Sequence, residues 1–197
     1  VRTQTRQVAC VGNGVPFQAD FSVGQMATNL QEALVRDGLD KALVQSRLDR
    51  LVTLLDMDLT WRLHQVSDGQ RRRAQLLLKL LRPSALLLMD EVTTDLDVVS
   101  RQALLQFLRE ECDERGATVV YSTHILDGLD DWPSHVLHLK QGTLAYCGPI
   151  GGAPGAHALV GAAGGTPGGT TAPAKAGSSG SLFTLVKTWL LEERDAN

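Results

Sequence analysis

The sequence predicts an α/β protein built on a mostly parallel sheet, and three observations predict it. Ala85 to Met89 is an unbroken apolar run closed by the carboxylates Asp90 and Glu91. Ala117 to Ser122 is a second run, rich in β-branched residues, closed by Thr123 and His124. Between them Ala103, Leu104, Phe107 and Leu108 mark one face of a helix. Strands that alternate with helices pair in parallel, and a continuous apolar run is expected of a strand buried on both faces of such a sheet.

Along the chain, Gln7 to Val11 reads as a short strand running into a Gly12-Asn13-Gly14 turn. Residues 24 to 65 form a helical subdomain. Within it Val44, Leu48, Leu51, Val52 and Leu55 recur at helical spacing between Asp40 and Asp56. A loop through Trp61 leads to a Ser67-x-Gly69-Gln70 turn, Arg71 to Leu81 continues as helix, and Pro83 ends it. Gly116 terminates the helix of Phe107 by supplying a left-handed residue. Val136 to Leu139, a Gln141-Gly142 turn and Leu144 to Cys147 predict a hairpin.

From Gly151 to Ser181 the composition turns to Gly, Ala, Pro, Thr and Ser, which cannot bury enough apolar surface to offset ordering entropy. The organisation expected is therefore a main domain over 1–150, a flexible linker over 151–181 and an amphipathic helix over 182–197. Leu182, Leu185, Val186, Trp189 and Leu190 form that helix's apolar stripe, which should dock on the domain or on a partner.

With 197 residues, 43% apolar, and a net charge of −3, the chain has an ordinary globular composition. It carries no basic footprint for direct nucleic-acid binding. Cys10, Cys112 and Cys147 are odd in number and far apart. They argue for unpaired thiols in a reducing compartment rather than for a disulfide framework or a zinc site. No apolar run approaches the roughly 20 residues of a membrane helix, since Lys79, Arg82 and Pro83 interrupt the leucine-rich stretch from Leu76 to Met89. The chain opens Val1-Arg2-Thr3 without an initiator Met, and its start is read as a truncation.

The chemistry lies at the ends of the two buried runs. Open α/β sheets bind ligands at the carboxyl ends of their strands. Asp90 there can hold Mg²⁺ through water, and Glu91 beside it can polarise a water that attacks a terminal phosphate. The alternative is a solvated acidic turn. Ser67, Gly69 and Gln70 open a helix, where backbone N–H groups and a hydroxyl make a phosphate seat and glycine permits close approach. The alternative is a plain helix cap by Ser67. Asp68 sets a carboxylate beside that seat. Arg71, Arg72 and Arg73 offset it, unless they are a solvated face.

Taken together, Ser67-x-Gly69-Gln70, then Asp90-Glu91, then Asp95-Leu96-Asp97 and His124 resemble the second half of an ABC-type ATPase domain. Its signature, Walker B, D-loop and switch-histidine motifs come in this order at about this spacing. The segments Trp61 to Arg73, Asp90 to Asp97, Ala117 to His124 and Asp127-Gly128-Leu129 look like the small soluble ABC proteins of eukaryotes. That group includes the yeast ABC protein associated with the Ccr–Not complex and the plant subfamily I. The resemblance covers roughly residues 7 to 147. The common pattern reads Leu-Ser-Gly-Gly-Gln in the signature and Pro after the Asp-Glu pair. Here Val66 and Asp68 depart from the first and Val92 from the second.

The resemblance implies a partial P-loop NTPase fold that takes ATP and Mg²⁺. It implies Mg²⁺ at Asp90, Glu91 as the general base, His124 on the γ-phosphate, and Ser67, Gly69, Gln70 and Asp97 around the nucleotide. Gln18 would be the Q-loop glutamine that contacts Mg²⁺, with Asn13 as its rival. His64, His135, His138 and His157 match no motif and are read as structural. The implied biology is ATP hydrolysis with nucleotide-driven homodimerisation, coupled to regulation in the cytoplasm or nucleus. A non-catalytic scaffold in a transcription-regulatory complex and the ATPase subunit of a transporter are the alternatives. No Gly-Lys-Ser or Gly-Lys-Thr occurs, so the Walker A loop is missing and this chain alone is expected to be inactive.

Overall fold

A computed structural model describes residues 8–11, 21–154, 156 and 182–195. The chain divides into two compact units, residues 1–125 and 126–197.

In the first unit β1 (Val8–Val11), β2 (Leu86–Asp90) and β3 (Thr118–Ser122) form a parallel sheet in the order β1-β2-β3. Leu88 lies between Cys10 and Val120, and Asp90 pairs with Ser122. The segments ending at Asp90 and Thr123 are thus adjacent and parallel, as expected from their apolar runs. Helix α1 (Val23–Arg36) and helix α2 (Lys41–Leu54) pack on each other and on α3 (Asp68–Leu81), forming the helical layer. Helix α4 (Val98–Arg115) connects β2 to β3.

Each helix starts where a side chain can cover its orphan amides. Asp40 caps α2 by accepting from Leu43 N–H, and Asp97 caps α4 by accepting from Ser100 N–H. Ser22 opens α1 with a capping box: its hydroxyl accepts from Gln25 N–H while Gln25 Oε1 accepts from Ser22 N–H. At the other end of α4, Gly116 stands at φ 66 and sends its N–H to Cys112 O, while Ala117 N–H reaches Glu111 O. Only glycine takes that left-handed position without steric cost.

One expectation fails at both apolar runs. β2 is not buried on both faces, and no residue of β3 is fully buried. Leu87 and Met89 are buried with Val11, but the opposite face leaves Leu88 36%, Val120 52% and Val8 58% exposed. Helices α3 and α4 are the helices that pack closely on this sheet among the described residues, α3 on β1 and α4 on β3. Among the described residues no second layer covers this face.

In the second unit, β4 (His135–Lys140) and β5 (Thr143–Pro149) form an antiparallel hairpin. Its two-residue turn has Gln141 at φ 47 and Gly142 at φ 75, the positive pair that a right-twisted hairpin requires. A 3-10 turn follows at Ile150–Gly152. Helix α5 (Leu182–Asp195) docks on this unit: Trp189 stacks on His138 at 4.3 Å and 5°, and its Nε1–H donates to Pro154 O. Asp130 accepts from Leu182 N–H at the helix start. Most of the expected linker, residue 155 and residues 157–181, lies outside the described residues. The three cysteines are unpaired, and burial pushes the Cys112 thiol up from its ordinary value. No helix among the described residues is long and apolar enough to cross a membrane.

Candidate functional site

The site is built at the carboxyl ends of β2 and β3, wholly within the first unit. Asp90 is the last residue of β2 and is exposed there. Directly after it the chain must turn sharply, and Glu91 takes φ 48, a left-handed conformation for a residue with a side chain. Such a conformation costs about 1–3 kcal/mol and persists only where surrounding groups hold it. Here they do. Glu91 N–H donates to Ser122 O across the sheet at 3.0 Å. Its carbonyl accepts from Thr94 Oγ1 at 3.1 Å and from Arg72 Nη2 at 3.0 Å. Thr93, almost fully buried, places its hydroxyl 2.6 Å from Tyr121 OH. The turn is tied to β3 on one side and to α3 on the other.

His124 follows β3 in a tight turn closed by Ile125 N–H donating to Thr123 Oγ1. Its Nδ1 lies 2.8 Å from Glu91 Oε2, which brings together the two residues named as base and γ-phosphate ligand. The approach is off the hydrogen-bonding direction, so Oε2 is shielded from bulk water yet has no hydrogen-bond donor. The Glu91 side chain as a whole is 32% exposed, so the carboxylate group itself is not sealed from water. The histidine side chain is 68% exposed and can reach a ligand in front of the sheet.

No group of three or more His, Cys, Asp or Glu side chains able to hold a metal is found among the described residues. Mg²⁺ keeps several waters and takes one or two carboxylates plus phosphate oxygens, so the exposed Asp90 at a strand end fits that demand. Gln18 and Asn13 lie outside the described residues.

Ser67 and Gln70 form a capping box on α3, with Ser67 Oγ accepting from Gln70 N–H and Gln70 Oε1 from Ser67 N–H. The cap reading of these residues is therefore realised, and Gln70's side-chain oxygen is committed to it. The sequence holds a twin of this turn: Ser22-Val23-Gly24-Gln25 repeats the Ser-x-Gly-Gln spacing and makes the same box. The twins differ in what faces them. At α1, Val23 N–H and Gly24 N–H donate to Trp61 O and Leu59 O, both at 2.8 Å. At α3, the N–H groups of Asp68 and Gly69 meet no backbone carbonyl among the described residues. One helix start is filled by its own chain, and the other is open to an anion.

Gly69 is also close to the turn after Glu91, since a Cβ added to it would lie 3.0 Å from Asp95 O. Asp97 has both carboxylate oxygens on Ser100, one on its N–H and one on its hydroxyl, each at 2.8 Å. The three arginines are not a solvated face. Arg71 pairs with the exposed Asp68 at 2.7 Å, Arg72 is buried, and Arg73 lies over the Trp61 ring while donating to Leu55 O. Arg72 was legible as a core residue, because it stands at helical spacing from Leu76 and Leu80 on the buried side of α3.

A family model described as "AAA domain, putative AbiEii toxin, Type IV TA system" matches residues 23–131, more than half of the chain. The chain is 42% identical over 190 residues to ABC transporter I family member 20 of Arabidopsis thaliana, covering 96% of this chain and 48% of that protein. It is 53% identical over 100 residues to CCR4-associated factor 16 of Saccharomyces cerevisiae, covering 51% of this chain and 35% of that protein. The chain thus spans less than half the length of these relatives. In fold it is similar to an ATP-binding subunit of an ABC transporter, with a TM-score of 0.64 at 22% identity, over 74% of this chain and 60% of that one.

Proposed function

Because the chain belongs to the family of ABC-type ATPase domains, we propose that it supplies the hydrolytic carboxylate and the signature helix of an ATP-hydrolysing protein. The observation that carries this is the 2.8 Å approach of His124 to Glu91 at the ends of two adjacent parallel strands. The Glu91 carboxylate accepts the proton of the attacking water. His124 stands beside that carboxylate, exposed toward the terminal phosphate. Asp90 would hold Mg²⁺, which when bound neutralises charge developing on the phosphate oxygens. The open amides of Asp68 and Gly69 seat a terminal phosphate, and Ser67 adds its hydroxyl. The activity is proposed for the whole protein, since this sequence contains no Gly-Lys-Ser or Gly-Lys-Thr.

By the plan of the family, the open start of α3 serves the nucleotide of a second protomer, and ATP then bridges a two-fold homodimer. We read the protein's role as regulatory rather than in transport, and the name of the yeast relative, CCR4-associated factor 16, supports assembly with a partner protein. Changing Glu91 to Gln in the whole protein should leave ATP binding intact and slow turnover by about 10²–10⁴-fold. On size exclusion the same variant should dimerise only when ATP is present. Unchanged turnover removes Glu91 from its role, and a monomer at saturating ATP removes the bridge.

A further inference from the structure

The catalytic turn and the open helix start are joined by one side chain. Arg72 belongs to the second turn of α3, on the helix that Ser67 caps, and is 4% exposed. Its Nη2 donates to Glu91 O at 3.0 Å and its Nε to Val92 O at 3.3 Å. Glu91 is the residue held at φ 48. A planar guanidinium that spans two successive carbonyls fixes the orientation of the peptide between them, and a lysine ammonium cannot do so from one point.

We propose that Arg72 is a positioning residue: it holds the Glu91 turn in its left-handed conformation and couples the Ser67 end of α3 to the Glu91 carboxylate. An anion arriving at the amides of Asp68 and Gly69 draws on the same rigid helix. Any displacement of α3 is passed by Arg72 to the backbone that aims the base. Gly69 also stands so near the Asp95 carbonyl that an added Cβ would lie 3.0 Å from it, which puts the helix start close to the same loop. This rests on the proposed role of Glu91 in hydrolysis, but the structural half of it does not.

The test uses the whole protein with Arg72→Met, which keeps an unbranched apolar stem, and Arg72→Lys, which keeps the charge. Amide hydrogen exchange reads the turn directly. In Arg72→Met the Glu91 amide should exchange at least about 10-fold faster, while Leu87 and Leu88 in β2 keep their protection. In the ATPase assay kcat should fall by about 10- to 100-fold with KM for ATP unchanged, the scale expected of a misplaced catalytic group. Arg72→Lys should lie between the two. Exchange at Glu91 that is unchanged, or that rises equally throughout β2, overturns the proposal whatever the ATPase rate. A fall in kcat matched by a rise in KM overturns the coupling. A parent protein with no ATPase activity instead overturns the hydrolytic reading, and the exchange data still decide the role of Arg72.

Discussion

Asp97 shows how one side chain near the site acts through helix structure. Its carboxylate accepts from the Ser100 N–H and from the Ser100 hydroxyl, and these bonds, the backbone one first, hold its carboxyl below the usual aspartate range. The folded value therefore lies below the unfolded one. The stabilisation is complete above the unfolded aspartate range, near pH 4, and is lost as pH falls through the folded value. Replacing Asp97 with Ala should cost about 1 kcal/mol at neutral pH, and the gap to the parent should close in acid. Urea titrations at the two pH values check this, and a gap that stays constant would show that the cap is not what Asp97 contributes. Asp68, the departure from the family signature, is 88% exposed at its side chain and paired with Arg71. Its charge is thus partly matched before any phosphate arrives, through a surface pair of small energetic weight.

At the scale of elements, α2 and α4 are joined by a buried ion pair. Arg47 Nη1 and Nη2 meet Glu111 Oε1 and Oε2 at 2.6 and 2.9 Å, while Arg47 Nε donates to Leu80 O near the end of α3. Arg47→Met leaves the buried Glu111 carboxylate with only the partly exposed Arg115, whose Nε lies 3.3 Å from Oε2, so it should destabilise the protein by about 3 kcal/mol, the low end for a broken buried pair. Arg47→Met combined with Glu111→Leu should recover most of that loss. Thermal melts of the single and double variants read the difference, and additive losses contradict the account. The elements were largely legible because their signals are local. Runs closed by Asp90 and His124, the Gln141-Gly142 turn and Gly116 each specify a boundary by backbone chemistry. Helix α3 begins at Asp68, three residues before the Arg71 read from its pattern, because a capping box overrides the weak propensities of Asp and Gly. Helix α1 lacked an assigned start, although Ser22 and Gln25 encode one.

At the scale of the whole molecule, the pairing of Glu91 with His124 was readable from order and spacing, since both close strands that neighbour one another. The open face of the sheet was not readable. An apolar run states that a strand prefers burial and says nothing of how many layers are there to bury it. Leu88 and Val120 occupy neighbouring register positions on that face, next to Cys10 and Val8. For anyone handling the 197-residue chain, this face adds to an exposed apolar surface that also includes Leu137, Leu139 and Leu144 of the hairpin. It is a surface to which fluorescent apolar dyes such as ANS should bind without unfolding, and through which molecules should adhere regardless of nucleotide. Val120→Lys with Leu88→Gln should lower dye fluorescence and ATP-independent association relative to the parent, with the secondary structure retained by circular dichroism. Dye binding that is unchanged by both substitutions places the sticky surface elsewhere. A purification that screens detergents or arginine additives then works in part against folded surface, Val8, Leu88 and Val120 among it, rather than against a poorly folded protein.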